Sequence, residues 1–115
     1  MALPEIKRAE AERDLRRYGA ENPPEEARDQ IRYTFTFRGN DVTLFEERPP
    51  WRGPRTEWTR LPVARFRYEP QSNGWSVSWR RANGRWLECD WLGTQARFGT
   101  QLAAVQRNDR CVFFG

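Results

Sequence analysis

The chain has 115 residues, a single-domain length, and its modest hydrophobic share of 37% leans on rings, since 14% of residues are aromatic and six are Trp. It has no His, which excludes Cys/His zinc sites and Ser-His or Cys-His nucleophilic chemistry, and its apolar runs fall far short of the ~20 residues a membrane span needs. The net charge of +4 is unevenly placed: Met1–Gln30 is acidic, whereas Arg48–Trp86 holds nine arginines against two glutamates, a net of +7.

The opening MALPEIKRAE has no signal-like apolar stretch, so a cytoplasmic protein is expected, with Cys89 and Cys111 reduced and no metal or cofactor. One domain should span residues 1–115. Pro4 to Tyr18 reads as a helix with a thin stripe of Ile6, Ala11, Leu15 and Tyr18, an i,i+4 pair of Glu12 and Arg16, and a stop at Gly19. Asn22 to Glu26 then reads as a turn leading into a short helical turn.

From Ile31 the period becomes two. Ile31, Tyr33, Phe35 and Phe37 alternate with polar residues, and a two-residue loop at Gly39-Asn40 sets Phe37 opposite Val42, Phe35 opposite Leu44 and Arg32 opposite Glu47. Pro49 to Pro62 is expected to be a long connection, because Pro withholds ladder donors, with Trp51 and Trp58 folded back as anchors.

Val63 to Tyr68 forms the next strand, with Ala64, Phe66 and Tyr68 on one face and Arg65 and Arg67 on the other. Trp75, Val77 and Trp79 then alternate with Ser76, Ser78 and Arg80. A two-residue Asn83-Gly84 turn would mix the two faces of this hairpin. A three-residue loop, Ala82-Asn83-Gly84 with Gly84 left-handed, instead pairs Trp79 with Leu87 and Val77 with Cys89, and turns Trp86 outward opposite Arg80. Trp75, Trp79 and Trp91 belong to the covered face. Gly93-Thr94 offers an N-cap for a helix to about Arg107 with Phe98, Leu102 and Val105 inward, and the tail Cys111 to Gly115 should dock as a last strand or into the core. The fold class is α+β: an antiparallel meander of about five strands with an N-terminal and a C-terminal helix on one face.

The segments Val42-Thr43-Leu44-Phe45-Glu46-Glu47-Arg48-Pro49, Trp58-Thr59, Pro62-Val63-Ala64-Arg65-Phe66-Arg67-Tyr68 and the terminal Cys111-Val112-Phe113-Phe114-Gly115 resemble a family of short bacterial proteins of unknown function, whose members commonly end in Phe-Phe-Gly or a similar tail. The resemblance covers nearly the whole chain and implies no activity. Where that family typically reads Trp-His-Arg-Tyr, this chain has Trp86-Leu87-Glu88-Cys89, so a family role resting on the histidine is absent.

No phosphate-binding loop or dinucleotide fingerprint occurs. Glu46 and Glu47 are adjacent in a strand and point apart, so they form no acid dyad; Glu46 shares the apolar face, with Arg48 as its expected ion-pair partner. A non-enzymatic binding module follows. Its expected surface is the outer sheet face of Arg65, Arg67, Ser76, Ser78, Arg80 and Trp86, with Trp51 and Arg52 of the connection as further candidates, contacting nucleic acid as RNA or single strands. Two readings compete with it. Arg80 lying over Trp86 on a solvated face explains the same residues without a ligand, and a GC-rich genome produces the Arg excess without selection for binding. The alternative partner is a protein docking on the Pro-rich stretch Pro49–Pro62 or on the N-terminal helix.

Overall fold

The structure, a computed structural model, describes residues 3–50, 57–110 and 112–114. Its elements are α1 (Glu5–Glu21), a single 3-10 turn at Glu25–Ala27, β1 (Arg32–Arg38), β2 (Asp41–Arg48), β3 (Thr59–Glu69), β4 (Gly74–Arg80), β5 (Trp86–Glu88) and α2 (Phe98–Arg107). The strands form one antiparallel sheet in chain order, and the fold is α+β. The first hairpin pairs Phe37 with Val42, Phe35 with Leu44 and Arg32 with Glu47. The third pairs Trp79 with Leu87 and Arg80 with Trp86, and Gly84 holds a φ of +85°. Both registers are those expected from turn chemistry and side-chain facing.

α1 packs Ala11, Leu15 and Tyr18 inward and carries the Glu12–Arg16 pair at 2.7 Å. Ile6, expected in that stripe, is 77% exposed: five residues before Ala11 it points about 140° away from it on a 3.6-residue turn. Lys7, one turn before Ala11, faces the sheet instead, its Nζ 5.6 Å from the Tyr68 ring. The stripe is too thin to cover β1 alone. Arginines complete it, with the Arg8 guanidinium 4.2 Å over Phe37 and Arg16 5.9 Å over Phe35, while Tyr18 meets Tyr33 edge-on at 5.1 Å. The helix does not stop at Gly19. It runs to Glu21 and ends at extended Asn22, where Pro23 disfavours the helical region for its predecessor.

The stretch expected to connect β2 and β3 is shorter than the sequence suggests, because Thr59 to Pro62 belong to β3. Leu44 pairs with Ala64 but Phe45 with Pro62, leaving Val63 as the extra residue of a bulge. β4 pairs only with Arg65–Glu69, so Thr59–Ala64 has a strand on one side alone. A bulge on an edge is where a strand tolerates Pro.

α2 begins at Phe98 rather than near Thr94, since Gln95 is held in a β-bridge to Trp75, by Trp75 N–H donating to Gln95 O at 2.7 Å and Gln95 N–H to Trp75 O at 3.0 Å. Its cap comes from another helix: Glu10 Oε2 accepts the Phe98 N–H at 2.8 Å, a carboxylate at the positive end of the helix dipole. Phe98, Leu102 and Val105 are buried against the sheet. Gln101, 1% exposed, donates to Trp75 O at 2.8 Å and Gly93 O at 3.0 Å. After left-handed Asn108 the described tail residues, 112–114, dock into the core without forming a strand: Phe113 is buried and Phe114 lies edge-on to Tyr33.

Gly74 lies where β4 and the Gln95 segment come closest. A Cβ there would sit 2.8 Å from Thr94 Cγ2 and 2.9 Å from Gln95 O. Gly74→Ala should therefore cost about 1–3 kcal/mol, as overpacking does, read as a lower midpoint in chemical unfolding; an unchanged midpoint would mean that this approach is looser than the structure has it.

Candidate functional site on the open face of the sheet

Both helices lie on one side of the sheet, so among the described residues the other face has no second layer of helix or strand. Strand alternation and register lay its side chains out in rows. Thr43, Arg65, Ser78 and Glu88 are successive cross-strand neighbours, Arg67 lies between Asp41 and Ser76, Arg80 is beside Trp86, and Glu47 lies between Arg32 and Arg60. Arg65, Arg67, Arg80 and Trp86 are thus on one face, as expected. Trp51 and Arg52 lie outside the described residues.

Guanidinium groups cover the aromatic rings of this face. Arg65 lies 4.6 Å over Trp86, Arg32 4.1 Å over Trp58 and Arg60 4.8 Å over Phe45. The residue over Trp86 is Arg65 and not the directly paired Arg80, whose guanidinium lies against the Gly84 turn, 3.4 Å from where a Cβ at Gly84 would be. Trp58, expected as a core anchor, is half-buried under Arg32 instead. Trp91, expected on the covered face, is 38% exposed with Arg110 over its ring at 4.6 Å.

The arginines differ in how firmly they are held. Arg67 forks onto Asp41 at 2.8 and 3.2 Å, and those hydrogen bonds and the Asp41 charge hold it more firmly protonated. Arg32 and Arg60 share Glu47, which they reach at 2.8 and 2.9 Å. Arg38, Arg65 and Arg80 form no ion pair among the described residues. Ser76 is buried and donates to Glu69 Oε1, whereas Arg38, Asn40, Arg65 and Arg67 line an open groove of about 510 Å³ at the hairpin end of the face.

Glu47 is the buried carboxylate that sequence reasoning missed. It is 5% exposed and also accepts from Thr34 Oγ1 at 2.8 Å. Burial pushes its pKa up, but the hydrogen bonds from Thr34, Arg32 and Arg60 outweigh that and leave it below the ordinary value. The available signal was Arg32 opposite Glu47; the second partner, Arg60, lay in a stretch read as loop. Glu46 points to the helix side and pairs with Arg48 at 2.6 Å, as expected. Cys89 is buried and free, and burial, then the nearby Asp90 and Glu88 charges, push its thiol up to about 12, so it is a poor nucleophile at neutral pH. Among the described residues no cluster of metal-binding side chains occurs and no helix is long and apolar enough to cross a membrane.

A family model, DUF3024, described as a domain of unknown function, matches residues 3–115. No curated protein and no solved structure matches the chain.

The lowered Glu47 pKa gives a stability term with a definite pH dependence. A carboxylate whose pKa is depressed on folding stabilises the fold above its unfolded pKa, and that stability is lost as pH falls through the folded value. Glu47→Gln should cost about 1–3 kcal/mol at pH 7, since it leaves two guanidiniums and a hydroxyl without their charged acceptor. Denaturant unfolding against pH should show the gap from the unsubstituted protein closing below the ordinary carboxylate range.

Proposed function

The chain belongs to the DUF3024 family, a domain of unknown function, and we propose that it is a cytoplasmic, non-enzymatic module that binds single-stranded nucleic acid, RNA above all, on the open face of its sheet. The observation that carries this reading is Trp86 under an Arg65 guanidinium that has no carboxylate partner among the described residues, with unpaired Arg80 beside it. Magnitudes favour a ligand over the resting stack. An exposed cation–π contact is worth about 0.5–1 kcal/mol, and a base on an aromatic ring about 1–3 kcal/mol. A base that displaces Arg65 from Trp86 also frees that guanidinium for a phosphate. Arg38 and Arg80 extend the positive track along the same face, while Thr43 and Ser78 flank Arg65 with hydroxyls for sugar or base edges.

A single strand fits better than a duplex. Ring faces on an open sheet stack on unpaired bases, whereas duplex bases are already stacked on one another. The alternative reading is a protein docking on Pro49–Pro62 or on the N-terminal helix, and its first form loses part of its footing because Thr59–Pro62 is strand.

Binding of a uniform-length single-stranded RNA, followed by fluorescence anisotropy, should weaken with salt. Arg65→Gln and Arg80→Gln should each reduce the slope of log K against log salt by about 0.7, the value for one phosphate contact on a single strand. Trp86→Ala should weaken binding about tenfold with the slope unchanged, the loss of one stacked base. Salt-independent affinity, or equal affinity of these variants and the parent, overturns the reading; circular dichroism of each variant checks that the sheet is intact.

A further inference from the structure

β3 and β4 part company beyond the Arg65–Ser78 pair. β3 continues back to Thr59 while β4 turns at Arg80 into its hairpin with β5, and the bulge at Val63 bends β3 at the point of divergence. A notch of about 510 Å³ opens between them, walled by Leu61 and Val63 on one side and Arg80 and Arg81 on the other, with Phe113 and Phe114 of the tail at its base. That volume is typical of small-ligand sites.

Leu61 shows that the notch is an unfilled apolar position. It is the cross-strand partner of Glu46, itself the partner of Tyr33, so it faces the helix side of the sheet, where Tyr33 meets Tyr18. Leu61 is nevertheless 55% exposed, because neither helix reaches this end of β3. Among the described residues, Arg80 and Arg81 at the rim form no ion pair, and Glu46, the one acid lining the notch, is already paired with Arg48. One wall of the notch is apolar, the other is polar, and the unspent charge is positive.

We propose that this notch binds a small amphipathic anion: an aromatic ring or short acyl chain seated on Leu61, Val63 and Phe114, with a carboxylate or phosphate head on Arg80 and Arg81. Guanidinium forks hold either head, and the apolar body fills what the protein leaves uncovered. The site shares Arg80 with the nucleic-acid face but uses neither Arg65 nor Trp86, so Arg81→Gln and Leu61→Asp test the notch apart from that reading while Arg65→Gln and Trp86→Ala test the face.

Methyl and amide NMR titration with 3-phenylpropanoate and with phenyl phosphate tests it, using 3-phenylpropanamide and inorganic phosphate as matched controls. Both amphipathic anions should shift the Leu61 and Val63 methyls and the Phe114 amide, and each control should bind at least tenfold more weakly. Arg81→Gln should weaken the anions about tenfold and leave the amide unaffected. Leu61→Asp, at an exposed position, should remain folded and lose binding, whereas Arg65→Gln should bind as the parent does. Equal affinity for acid and amide, shifts centred on the Trp86 indole, or no shift of the Leu61 methyls at millimolar ligand overturns the proposal. If one head group alone binds, the site is assigned to that head.

Discussion

The helix side of this protein is organised about Trp75. Its ring, wholly buried, meets Phe98 of α2 at 5.0 Å and Tyr68 of β3 at 5.5 Å. Its backbone exchanges both hydrogen bonds with Gln95, and its carbonyl also receives Gln101. One residue therefore ties the central sheet, the chain running into α2 and α2 itself. The cost is visible in the same residue, whose indole Nε1 is buried without a partner. With Phe98 placed by Trp75, its N–H falls to Glu10, and α1 is drawn into the same layer. Gly99 lets the two helices come close, Asp14 Oδ2 lying 3.3 Å from where its Cβ would be.

That arrangement uses both helices on one face and leaves the other face without a layer among the described residues. An uncovered antiparallel sheet usually turns polar residues outward, and this one turns out arginines and rings together. The guanidinium stems shield Phe45, Trp58 and Trp86 while their heads stay wet. Glu47 anchors one end of the face by gathering Arg32 and Arg60 about a single buried carboxylate, and Asp41 fixes Arg67 at the other. Between these two fixed points, Arg65 and Arg80 form no ion pair among the described residues and lie beside Trp86. The same stacking that makes the face tolerable in water makes it receptive to another flat, charged partner.

Local pattern accounts for the parts that were legible. In the β1–β2 hairpin the two-residue loop and the apolar alternation impose one register between them, and the pairing of Phe35 with Leu44 follows. The β4–β5 hairpin was legible for a sharper reason: a two-residue turn would have put Trp79 opposite a glutamate, so the facing of side chains selected the bulged loop. Pro62 misled because a proline argues against a central strand, and whether a strand is central or at an edge depends on how far its neighbour runs. Thr94 misled likewise, since Gly93-Thr94 is a sound local cap and loses to a bridge between residues twenty apart. Both errors came from contacts that no window of sequence contains.

By itself the sequence determined the alternation of the strands, the two hairpin registers, the inward face of α2 and the gathering of Arg65, Arg67, Arg80 and Trp86 on one side, because periodicity and turn chemistry act over a few residues. Tertiary structure alone decided which of those arginines find a carboxylate, that Glu47 rather than Glu46 is buried among cations, that Arg65 covers Trp86, and that β3 and β4 diverge around a notch. Each of these depends on distances between side chains remote in the chain and on where a neighbouring strand or helix ends. Ion pairing, burial and open space are properties of the packed chain, and they take their values only once the layers have met.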